Sequence, residues 1–190
     1  TLVTEAPARG AAVTYRAMKE SVSFSTAPFE VETEFTGPAS LRVWVSSSTT
    51  DLDLFAILRV FDPHGKECTF IGAHEPVPMA LGWLRASHRK LDESRSTPWR
   101  PWHVHDEVQK LTPGEVYPLD VEIWPTSMVF PKGYRLVLTL QGHDFIVAPP
   151  GRMRHDHPED RPEAEFGGVN TVHTGGERAS YLLMPLVPAR

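Results

Sequence analysis

The stretch Glu122-Ile-Trp-Pro-Thr-Ser-Met-Val-Phe-Pro-Lys-Gly-Tyr-Arg-Leu-Val-Leu-Thr-Leu140 decides between sheet and helix. Before and within it, Val116, Leu119, Val121 and Ile123 stand among polar neighbours, and Leu136, Leu138 and Leu140 alternate with Arg135, Val137 and Thr139. Successive side chains of a strand point to opposite faces, so a period of two marks a strand with one face buried. Pro125 is expected to end the first strand. Pro131-Lys-Gly133 supplies a fixed φ and then a residue that tolerates positive φ, which turns the chain into the second strand. Trp124 and Phe130 are expected to anchor the intervening loop as buried side chains.

The same signal spreads outward. Leu41-Arg-Val-Trp-Val-Ser46 places Leu41, Val43 and Val45 on one face and Arg42, Trp44 and Ser46 on the other, with Phe35-Thr-Gly-Pro38 reading as a turn before it. Leu52-Asp-Leu-Phe-Ala-Ile-Leu-Arg-Val-Phe61 is almost continuously apolar and closed by Asp62-Pro-His-Gly65. That pattern suits a central strand, with residues 68–71 returning as its hairpin partner. Residues 21–24, 82–89, 171–174 and 181–187 bring the expectation to eight or nine strands. The 18 prolines leave no room for a credible helix. The fold class expected is all-β, a β-sandwich of jelly-roll type resembling galactose-binding domains.

Residues 90–108 and 147–168 read as long irregular segments. The first carries Trp99, Trp102, His103 and His105, a set that implies packing against something rather than free solvation, and these four are the candidate interface residues. The chain begins at Thr1 without a Met, and residues 1–14 read as a linker from a preceding domain, leaving 15–190 as one domain.

Composition narrows the partners. With 41% apolar and 23% charged residues in a chain of 190, the protein belongs with ordinary globular domains. A net charge of −5 gives no electrostatic footprint for nucleic acid or an anionic membrane surface. No apolar run approaches the roughly 18 residues of a spanning helix. Cys68 is the only cysteine, which excludes an internal disulfide and leaves a cytoplasmic location weakly favoured.

No Gly-x-Ser-x-Gly elbow occurs, so no catalytic triad is assigned. Trp102-His-Val-His-Asp106 and Arg154-His-Asp-His-Pro158 each put two histidines two residues apart, a spacing that shares a face in a strand. Two ligands fall short of a site, and polar loop residues are the favoured reading, so no metal or other cofactor is expected. Asp51 and Asp53 are read as turn caps ahead of the buried strand rather than calcium ligands. Trp44, Trp83, Trp99 and Trp102 on a jelly roll also raise the alternative of a free-standing carbohydrate-binding module, set below core or interface packing.

The motifs also carry a resemblance. Thr36-Gly-Pro38 leading to Leu41–Ser46, Asp51-Leu-Asp53, Asp62-Pro-His-Gly65, Leu84-Arg-Ala-Ser-His-Arg89 and Leu111-Thr-Pro-Gly-Glu115 form the first part of it. With the 122–140 segment, Asn170-Thr-Val-His-Thr174 and Leu182-Leu-Met-Pro-Leu-Val-Pro188, they resemble the C-terminal domain of the X-Pro dipeptidyl-peptidase and cocaine-esterase (CocE/NonD) group of serine hydrolases. The resemblance spans about residues 15–188. It implies a jelly roll without catalytic residues of its own, whose partner is an α/β-hydrolase domain that carries the Ser, Asp, His triad. It implies further that the jelly roll packs against that domain, helps shape its cleft, or contributes to a homo-oligomer.

Overall fold

A computed structural model of the chain describes residues 10–71, 76–145 and 158–188. Its strands are β1 (Ala11–Arg16), β2 (Ser21–Ser25), β3 (Thr33–Ser47), β4 (Asp53–Phe61), β5 (Glu67–Cys68), β6 (Ala80–Arg85), β7 (Tyr117–Phe130), β8 (Arg135–Gln141), β9 (Val169–Thr174), β10 (Tyr181–Leu183) and β11 (Leu186–Val187). One helical turn, α1 (Glu163–Phe166), interrupts the second irregular segment, where no helix was expected.

The strands form two sheets. In the first, β3 runs its length beside β7, and β9, β10 and β11 succeed one another along its opposite edge, with β1 outside β9. In the second, β4 is central, with β8 and then β2 on one side and β6 and β5 on the other. Every pairing is antiparallel, and the two sheets stack as a β-sandwich of jelly-roll type. β1 begins at Ala11, so Ala11 to Thr14, read above as linker, are paired with β9.

The alternating positions fill the space between the sheets. Phe35, Leu41, Val43 and Val45 of β3 and Leu119, Val121 and Ile123 of β7 face Leu54, Leu58 and Val60 of β4 and Leu136, Leu138 and Leu140 of β8. Phe29, Phe35 and Phe130 close one end as a cluster with ring centroids 5.0–5.9 Å apart. Phe55 and Ile57, on the other face of β4, are buried too, as a central strand requires.

Three sequence expectations are corrected. The first strand does not stop at Pro125: β7 continues through it to Phe130. Gly37 pairs with Thr126 and Ala39 with Ile123, two steps along β3 against three along β7, so a bulge at Trp124–Pro125 takes up the extra residue. β7 is an edge strand, and an edge strand with a bulge tolerates a residue that lacks an N–H. For the same reason Phe35–Pro38 is no turn but part of β3, with Gly37 at φ 136° beside the bulge. The hairpin is confined to the residues around Gly133, at φ 88°. Finally, Phe130 is buried as expected, whereas Trp124 is 54% exposed and does not anchor the core.

Candidate functional site

The two sheets come into close contact where β6, at the edge of one, meets β7, at the edge of the other. A Cβ on Gly82 would stand 2.3 Å from the Glu122 carbonyl oxygen and 2.9 Å from Ile123 Cγ1, so the contact depends on glycine. Neighbouring outward positions then converge. Trp83 and Trp124 meet edge to face at 5.1 Å between centroids. They line a groove of about 470 Å³ together with Arg85, His88, His103, His105 and Glu122.

The far wall of the groove is the segment that follows β6. A 3₁₀ turn over Ala86–His88 ends the strand that was expected to run to residue 89. Its position is fixed from beneath by the Asp51-Leu-Asp53 motif. Buried Asp51 accepts hydrogen bonds from Leu52 N at 2.9 Å and Ser87 N at 3.0 Å, and from Lys110 Nζ at 3.1 Å. Lys110 also pairs with Glu165, and these two carboxylates hold its ammonium above the usual lysine range. Asp53 accepts from Arg85 Nε at 2.8 Å and Nη2 at 3.0 Å and from buried Arg161 Nε at 2.7 Å. The aspartates therefore do more than cap a turn: they tie β4 to β6, to the turn after it, and to the segment that carries α1.

Residues 90–108 form an ordered loop. Asp92 N donates to the Trp102 carbonyl at 2.8 Å, Trp102 N to Ser96 Oγ at 2.9 Å, and Val104 N to the Lys90 carbonyl at 3.1 Å. The Ser40 hydroxyl of β3 donates to the Pro98 carbonyl at 2.7 Å, fastening the loop to the sandwich. Trp102 is half-buried within the loop, with the Arg95 and Arg100 guanidiniums 3.6 and 5.0 Å from its ring centroid. Trp99 is 49% exposed.

His103 and His105 lie on this loop and not on a strand, their ring centroids 6.0 Å apart. His105 has a left-handed backbone, φ 57°, alone in this among the described non-glycine residues. The turn brings its Nδ1 to 3.4 Å from Nδ1 of His88, a neighbour that local spacing did not reveal. Burial, then the adjacent His105, push the His103 imidazole below the ordinary histidine range. The four candidate interface residues thus share one loop, but Trp102 packs into it, whereas His103 and His105 face the groove. The second pair, His155 and His157, lies outside the described residues.

One arrangement resembles part of a hydrolytic centre. Ser46 Oγ stands 2.9 Å from His173 Nε2 across β3 and β9. Among the described residues the pair lacks the rest of the machinery: the charge acting on His173 is Arg178, a cation where a triad has a carboxylate, and Ser46 lies within a regular strand rather than on a strand-to-helix elbow.

Comparison with known proteins agrees with the fold. Cocaine esterase of Rhodococcus is 25% identical over 169 residues, which is 86% of this chain and 25% of that protein. A Mycobacterium bovis protein named as a serine esterase is 27% identical over 136 residues, 67% of this chain and 20% of that protein. The chain therefore spans a quarter or less of the length of these relatives. The crystal structure of a CocE/NonD family hydrolase from Staphylococcus aureus superposes with a TM-score of 0.86 at 32% identity, over 95% of this chain and 33% of that one. Residues 4–183 match the X-Pro dipeptidyl-peptidase C-terminal non-catalytic domain, and the chain belongs to that family.

Proposed function

We propose that this chain is the accessory module of a serine hydrolase of the esterase or X-Pro peptidase kind, and that it works by packing against an α/β-hydrolase domain in the same polypeptide. The contact surface is the loop of residues 90–108 with Trp99, Trp102, His103 and His105. Trp99 carries this reading. A large aromatic side chain left 49% exposed on a loop pinned by backbone hydrogen bonds and by Ser40 is pre-ordered for burial against a partner. Trp102, clasped by two arginines, stiffens the loop behind it. A second copy of the chain is the other occupant that would cover the same surface.

The test compares Trp99→Ala in a full-length protein carrying both domains with the same change in this chain alone. The expected outcome is a lower melting temperature or lower kcat/KM for the full-length hydrolase and an unchanged melting temperature for the isolated chain. A neutral result in the full-length protein would overturn the interface. A saturable change in tryptophan fluorescence with a sugar would favour the carbohydrate-binding alternative.

A further inference from the structure

Beyond the packing role, the structure assigns His88 and His105 as the two primary ligands of a site for a borderline divalent transition metal such as Zn²⁺ in the lining of the β6–β7 groove, with His103 as the third ligand. The two Nδ1 atoms stand 3.4 Å apart, long for a hydrogen bond between ring nitrogens. Two nitrogens bound to one ion at about 2.0–2.1 Å and at the tetrahedral angle are separated by about 3.3–3.4 Å. The pair already has the edge length of that coordination sphere.

The local backbone presents all three rings to one groove. His88 closes a 3₁₀ turn whose Ser87 amide is bonded to buried Asp51, and Ser87 O accepts from Gln109 N at 2.8 Å. His105 is presented by a backbone at φ 57°, a conformation uncommon outside glycine, so its ring is aimed by a conformation the loop must sustain. His103 is bridged to Leu91, its ring is hydrogen-bonded to the Asp120 backbone, and its Nε2 is buried with no hydrogen-bond partner, so turning toward the pair exchanges the Asp120 contact for the ion. A buried imidazole nitrogen without a partner, 6.0 Å in ring separation from His105, is what a third ligand looks like before the ion draws it in.

The surrounding charges are close to balance and leave the groove open to a cation. Lys90 lies between Asp106 and Glu107, each at 3.0 Å, Arg85 and Arg161 share Asp53, and the Glu122 carboxylate that lines the groove is paired with Arg100 at 3.8 Å. Among the described residues no three ligands already converge on one point, so binding requires His103 to rotate toward the pair. Imidazole ligands select zinc, copper or nickel over magnesium or calcium.

The experiment titrates the chain, freed of any polyhistidine tag, with Zn²⁺ alone, by calorimetry and by long-range proton–nitrogen correlation of the histidine rings. One equivalent should bind, with His88 and His105 showing coordination through Nδ1. His105→Asn keeps a residue that accepts the left-handed backbone and removes the ligand nitrogen. It and His88→Ala should each weaken binding by at least the roughly tenfold that loss of even a supporting group costs. His103→Ala should weaken it less, and His64→Ala, in the exposed turn after β4, should leave it unchanged. The proposal is overturned if no saturable binding occurs below about 1 mM Zn²⁺, or if His88→Ala and His105→Asn bind as tightly as the parent. Coordination through Nε2 of either histidine would overturn it as well.

Discussion

Asp53 shows how much one side chain carries. Its carboxylate is 10% exposed and is shared by Arg85, 32% exposed, and Arg161, 3% exposed. Arg161 dominates the energetics, because solvent screens the Arg85 pair while the Arg161 charge has been taken almost wholly out of water. Asp53→Ala removes the carboxylate that the two guanidiniums share and is expected to cost about 3–5 kcal/mol, read as a lower urea midpoint at unchanged slope. A loss within about 0.5 kcal/mol would mean that the other partners of Arg161, the Gly142 carbonyl among them, hold its charge without Asp53. His103 adds a pH dependence. Burial lowers its folded pKa below the ordinary value of 6.5, so the folded state prefers the neutral ring and the unfolded chain takes up the proton first. The stability it contributes is complete above about pH 6.5 and falls as the pH drops from there toward the folded pKa. His173 shifts in the same direction. Denaturant unfolding from pH 7.5 to 5.5, with a chelator present, should show that decline, and His103→Gln should make it shallower.

Among the elements, β6 and β7 set the groove, and Gly82 sets β6 and β7. Because the atoms a Cβ would meet are the Glu122 carbonyl and Ile123 Cγ1, neither the free end of a flexible chain, Gly82→Ala must push the sheet edges apart. A cost of about 1–3 kcal/mol is expected, with near-UV dichroism from the Trp83–Trp124 pair altered in parallel. An unchanged aromatic signal with unchanged stability would refute the close approach. These two strands also mark how far the sequence can be read. Alternation at 41–46, 119–123 and 136–140 made the buried faces legible, since burial on one side leaves a period of two in the residues themselves. Pro125 was misread because its tolerance depends on an unpaired edge and a bulge between the Gly37 and Ala39 pairings, and neither is a property of the local sequence. The β6–β7 corner was illegible for the same reason. The Gly82–Glu122 approach and the His88–His105 pair join residues from different elements, and no periodicity encodes which edges of two sheets will touch. Among the four candidate interface residues, Trp99 was legible as an outlier in a polar loop, whereas the clasping of Trp102 by Arg95 and Arg100 required the loop's path.

At the scale of the whole molecule, the sandwich is held together by pairings between distant parts of the chain, and its outermost strand is also its first. β1 lies beside β9, with Ala11 opposite Thr174 and Thr14 opposite Thr171. Ala11 to Thr14 bury little, since all four are exposed, so their contribution is the ladder and the cover they give to β9. The buried residue of this strand, Tyr15, lies just beyond them at 2% exposure. A chain that starts at Ala11 and one that starts at Tyr15 therefore share the same core and differ in one strand edge. Each net hydrogen bond is worth about 0.5–1.5 kcal/mol, and fraying at a terminus takes back part of that, so the shorter chain should lose about 1–3 kcal/mol. It should also expose the Thr171–Thr174 edge, and a bare edge invites pairing with another copy. The expected result is a lower urea midpoint together with concentration-dependent association in sedimentation velocity, neither seen when the chain starts at Ala11. If the two chains unfold at the same midpoint and stay equally dispersed, residues 11–14 act as linker despite their pairing, and the domain begins at Tyr15.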